Sequence, residues 1–141
     1  MREARRLALI EKQALLAKVA RRQALRGLAD ALAAEERSQL LAARSRQLTA
    51  ASAPQPGATS GAALAARSAF TASLAQLAVT AAEAAGDAAR QSAWQAETLA
   101  AAETRARRLA EREAEARAAL DTLKAKRETA HAVPLARKLQ T

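Results

Sequence analysis

AASAPQPGATSG, residues 50–61, is the one interior stretch of this chain that cannot stay helical throughout, and the fold reading starts there. Pro54 and Pro56 each lack an amide donor and crowd the turn before them, so a helix arriving from the N-terminal side is predicted to end near Thr49. Ser52, Gly57 and Gly61 complete a turn-forming composition, and Ser60 offers an oxygen to cap a helix starting at Gly61 or Ala62. The next proline is Pro134. The chain therefore reads as a single domain, 1–141: a helix over 2–49, a loop over 50–61, a helix over 62–132 and a tail over 133–141. At 1.5 Å per residue the two helices would be roughly 70 and 105 Å long.

Composition agrees. About a third of the residues are alanine, which supplies most of the 50% hydrophobic content, and there is one Phe, one Trp and no Tyr. So little bulk cannot fill a deep interior. Ala, Leu, Arg, Glu, Gln and Lys lose little side-chain freedom in a helix, whereas the residues that favour strands are scarce. The expected class is all-α.

Helices this long need an apolar stripe and a partner. Leu99, Ala102, Ala106, Leu109, Ala116, Leu120, Leu123 and Ala130 recur at alternating three- and four-residue steps, broken only by Glu113 and Arg127. Upstream, Phe70, Leu74, Leu77, Ala81, Ala84 and Ala88 form a second row, with a slip of phase expected around Gly86, Gln91, Ser92 and Gln95. The first helix reads less regularly, as Leu7, Ile10, Ala14 and Ala17, then Leu25, Leu28 and Leu32, then Leu41 and Leu48. Gly27, inside that helix, should cost about 1 kcal/mol relative to alanine. Joined by a short loop, the two helices are expected to fold back as a long antiparallel two-helix coiled coil. Leu48 would then meet Leu64, the first residues would meet Leu109, and the second helix would project beyond about residue 110.

The net charge of +9 and a pI near 11.3 suit an acidic partner, a nucleic acid or a membrane surface. Residues 1–50 carry 11 basic and 5 acidic groups, residues 51–98 carry 2 and 3, and residues 99–141 carry 10 and 6, so charge gathers near the termini. Cysteine is absent and His131 is the one histidine, which leaves nothing from which to build a thiolate metal site or a histidine-dependent nucleophile. There is no glycine-rich phosphate loop. Glu111, Glu113 and Glu115 alternate with Arg112 and Arg117 as solvated helix surface. A non-enzymatic protein without cofactor or small-molecule substrate is expected. The apolar stretch after Arg2, Arg5 and Arg6 is cut short by Glu11 and Lys12, and no uninterrupted apolar run approaches the roughly 20 residues of a bilayer span, so a cytoplasmic location is expected. Trp94 and Phe70 each read as a gap filler in the helix pair or as an anchor for a partner, and for Trp94, off the best seam, the two readings weigh equally.

The two long helices, the charged ends and the run ETRARRLAEREAEAR from Glu103 to Arg117 resemble the FliJ family of flagellar export proteins. The resemblance covers nearly the whole chain, and it implies an antiparallel coiled coil similar to the rotor stalk of rotary ATP synthases. Family members carry an aromatic and an aliphatic residue four apart early in the second helix, on a patch that contacts the export gate. Phe70 and Leu74 have that spacing, and Gln39 is placed comparably to a family glutamine, although the tyrosines of some members are missing.

The resemblance implies an accessory factor of type III protein export, acting between the export ATPase ring and the export gate, with membrane association only through those partners. On this reading Arg5, Arg6, Arg107, Arg108 and Arg112 face an acidic or polar socket in the ATPase ring, and Phe70 and Leu74 face the gate. Two other classes fit the composition. A basic helical nucleic-acid binder would use the pairs Arg5–Arg6, Arg21–Arg22 and Arg107–Arg108, but no aromatic residues are interleaved with them. An amphipathic protein of a granule or membrane surface would use the alanine-rich faces.

Overall fold

The computed structural model describes residues 2–53, 55–57 and 60–139, with side chains described through His131. Two long helices pack against each other, α1 (Arg2–Ala51) and α2 (Gly61–Leu139), with no strand among the described residues. The Ser60 oxygens receive the amides of Ala63 (Oγ, 3.2 Å) and Leu64 (carbonyl, 3.0 Å), so Ser60 is the N-cap of α2. Pro54 lies outside the described residues, as do Met1, Ala58, Thr59, Gln140 and Thr141.

α2 does not stop before Pro134, and the expected tail over 133–141 is helical as far as Leu139. A proline inside a helix removes one amide donor at a cost of about 3 kcal/mol, but it does not prevent strong helix formers on both sides from continuing.

The chain divides into two compact units, residues 25–98 and residues 1–24 with 99–141, termed here the loop unit and the open unit. In the loop unit Thr71 donates to the Ser52 carbonyl, Ser92 donates to Glu35, and Gln95 lies against Gly27, so the helices run antiparallel. Pairing begins at Thr71, because every described side chain from Gly61 to Phe70 is exposed. Leu48 therefore lies near the level of Leu74, not Leu64. The facing residues are Leu28, Ala31, Glu35, Ser38, Ala42, Ser45 and Thr49 on α1, and Thr71, Leu74, Ala78, Ala81, Ala85, Ala88, Ser92 and Gln95 on α2; every one is buried or half-buried.

These residues keep an unbroken three-and-four rhythm. The expected phase slip at Ser92 and Gln95 does not occur, because both are seam residues. The seam is instead built from small side chains, while Leu25, Leu32, Leu41, Leu48, Phe70 and Leu77 are exposed. Small seam residues let two backbones approach closely, and a leucine in their place would hold the helices apart. Seam hydroxyls are satisfied locally: Ser45 donates to the Leu41 carbonyl and Thr49 to the Ser45 carbonyl, each at 2.9 Å.

The open unit is antiparallel too, with a bulkier seam. Leu109 is buried against Ala14 and Ala17, with Ala106 packed beside it. Leu7, Ile10 and Ala24 on α1 and Leu99, Ala102, Ala116 and Leu120 on α2 are half-buried around that centre. Glu11 pairs with Arg117, so Leu109 faces the middle of the first turns and not the initial residues. Cover ends after Leu120; from Asp121 to His131 every side chain is exposed, which moves the projecting part about ten residues beyond the expected start. The shift follows from the unpaired first turns of α2.

Candidate interaction surfaces

Two kinds of surface stand out, one in each unit. In the loop unit it is apolar. Between Gly61 and Ala82 the only charged residue is Arg67. An 18-residue window of α2 within Gly61–His131 reaches a mean hydropathy of 1.2 with none of it buried, so by length and composition alone this helix could cross a membrane. Phe70 is 60% exposed and Leu77 is 53% exposed; being seven residues apart, they lie on one side of α2. Leu41 and Leu48 are exposed at the same seven-residue interval on α1. Trp94 is also exposed, at 56%, and fills no gap between the helices.

The expected trio of Phe70, Leu74 and Gln39 is not brought together. Leu74 is half-buried in the seam, while Phe70, four residues earlier, looks outward. Gln39 donates to Glu35 at 2.9 Å, and Glu35 is engaged with Ser92, which places Gln39 roughly 20 Å along the axis from Leu74 and roughly 25 Å from Phe70. The antiparallel register, invisible to spacing within one helix, separates them.

In the open unit the surface is ionic, and its two sides differ. On one side, Arg117 binds Glu11 at 2.8 Å and Glu113 at 3.2 Å, and Arg21 reaches Glu103 at 3.5 Å. The hydrogen bond that Arg117 donates to Glu11, reinforced by the Glu113 charge, raises the pKa of the Arg117 guanidinium above its ordinary value. On the other side, Arg105, Arg108 and Arg112 line a groove with Gln13, Ala100, Ala101, Thr104 and Leu109. None of these three arginines has an ion pair among the described residues.

Of the expected basic set, Arg108 and Arg112 share this groove, whereas Arg5 and Arg107 do not line it. Arg6, seven residues before Gln13, lies on the same side of α1 and is loosely paired with Glu3 at 3.9 Å. Arg105 was not among the expected residues. Its signal was present in the sequence, since positions 105, 108 and 112 recur at helical spacing, but the adjacent pair Arg107–Arg108 is more conspicuous. His131 is exposed, and no group of three potential metal ligands occurs among the described residues. In comparisons with family models, curated proteins and solved structures, nothing matches this chain.

Proposed function

We propose that this chain is a non-enzymatic accessory component of the flagellar protein export apparatus, acting between the export ATPase ring and the export gate. The observation that carries the reading is the antiparallel pairing of two long helices with different surfaces in its two units: neutral and apolar in one, arginine-rich in the other. A protein that bridges two partners needs two chemically distinct contact surfaces. The basic side, with Arg6, Arg108 and Arg112, takes the ATPase contact; exposed Phe70 takes the gate contact, with Leu74 holding the helix beneath it. The test is co-purification of the tagged chain with the export ATPase and with the gate protein. Phe70→Ala should lose the gate and keep the ATPase, and Arg108→Glu with Arg112→Glu should do the reverse. Retention of neither partner by the unaltered chain defeats the reading.

The uncharged, exposed start of α2 supports a second reading, attachment to a lipid or granule surface through Phe70, Leu64 and Leu77. Flotation with neutral vesicles distinguishes it, because an export factor should stay at the bottom of the gradient.

A further inference from the structure

We infer that the arginine groove of the open unit is a docking site for an acidic helical segment of a partner protein, which would lie along the hairpin as a third helix. Arg105, Arg108 and Arg112 recur at three- and four-residue steps, so they stand about one per turn, ~5.4 Å apart along α2. Gln13 faces them from α1 and Thr104 adds a hydroxyl, while Ala101 leaves the floor low enough for another helix to approach. Like charges one turn apart repel about as strongly as an i,i+4 ion pair attracts, so this row works against the isolated helix. A carboxylate on each turn of a docked helix reverses that sign and engages each guanidinium fork through charge-assisted hydrogen bonds.

The opposite side of the same unit shows the relieved condition within one chain, since Arg21 and Arg117 already hold carboxylates from the facing helix or their own. On the unpaired side Glu111 and Glu115 stand three residues beyond Arg108 and Arg112, but among the described residues no carboxylate of either helix forms an ion pair with the three arginines. A nucleic-acid strand suits the groove less well. The row spans only about two turns, and no aromatic side chain lines the groove to stack a base. A short helix with Glu or Asp at i, i+3 and i+7 matches the row in length, pitch and sign. The inference concerns the arginines that the export reading gives to the ATPase and names the kind of segment that would occupy them, while the peptide experiment tests the groove whether or not that ATPase is the partner.

The experiment uses the full chain and a labelled synthetic amphipathic peptide of three heptads with Glu at i, i+3 and i+7 on one face, followed by fluorescence anisotropy. Binding should saturate and weaken as salt is added. Arg105→Glu with Arg108→Glu should weaken it about tenfold or more, whereas Arg21→Gln, on the paired side, should change it by less than about twofold. A peptide with the same glutamates spread around the helix should bind about tenfold more weakly. Circular dichroism checks that the variants stay helical; should the double reversal unfold, Arg108→Gln replaces it, with about a threefold loss expected. Equal binding of the two peptides overturns the proposal, as does equal damage from Arg21→Gln. Tighter binding of a single-stranded oligonucleotide of matched charge overturns it in favour of nucleic acid.

Discussion

The loop unit and the open unit share one rhythm of seam residues and differ in what occupies it. In the loop unit the seam is mostly alanine, serine and threonine, with Glu35, Gln95, Leu28 and Leu74 as its larger members, and most of the larger apolar groups face water. In the open unit Leu7, Ile10, Leu99, Leu109 and Leu120 supply bulk, and cross-helix ion pairs flank it. A methylene removed from water is worth about 0.8 kcal/mol, so an alanine layer gains little from burial and depends on close backbone approach and on the high helix propensity of alanine itself. A leucine layer gains more and tolerates a wider separation. The same two helices are therefore held together by different means along their length.

The sharpest way to break this contrast is at Leu109, the most buried large side chain. Leu109→Ala should cost about 2–3 kcal/mol in a denaturant titration followed by circular dichroism, with amide-exchange protection lost first in residues 2–24 and 99–120. Equal loss across residues 25–98 would show that the two units are not separately supported. Next comes overpacking of the loop unit: Ala42→Leu, at a site 5% exposed, should cost about 1–3 kcal/mol. The neighbouring change Leu41→Ala, at a site 59% exposed, should stay within about 0.5 kcal/mol. A reversed order for those two would refute the small-residue seam.

Ser60→Ala removes the cap of α2 and should cost about 1 kcal/mol, read as fraying of the first turn in amide exchange while later turns are unaffected. A smaller effect of opposite sign is expected at Gly27. An added methyl there would meet only the amide end of Gln95, at 2.8 Å, which can swing aside, so Gly27→Ala should raise stability by up to about 1 kcal/mol. Least of all, Arg117→Gln should lower the melting temperature slightly at low salt and not at high salt, since its ion pairs are exposed to solvent.

Much of the architecture was legible in residues 50–61 and in the leucine-bearing row from Leu99 to Leu120, where bulk and burial coincide. Upstream they part company. Reading bulk as burial selects Leu25, Leu32, Leu41 and Leu48, whereas the buried residues are Ala31, Ala42 and Ser45, and the apparent loss of phase near Ser92 comes from following the wrong side chains. Periodicity gives the step of a seam but not which of two parallel rows meets the partner when the true row is small. The candidate sites were less legible because they depend on register between helices. Gln39 and Phe70 are separated by it, and Arg105 joins Arg108 and Arg112 only once Gln13 is seen across the groove.

The bond from Ser92 to Glu35 and the fit of Gln95 over Gly27 have a bearing on alignment. A seam in which alanine recurs every three or four residues has little to distinguish one alignment from another displaced by a heptad. Sliding α2 by seven residues would set Ala85 where Ser92 stands and Ala88 where Gln95 stands, leaving the Glu35 carboxylate without its hydroxyl donor and an empty notch at Gly27. The Ser92–Glu35 hydrogen bond thus acts as an index pin in an otherwise repetitive track. It favours this setting over the one displaced by a heptad.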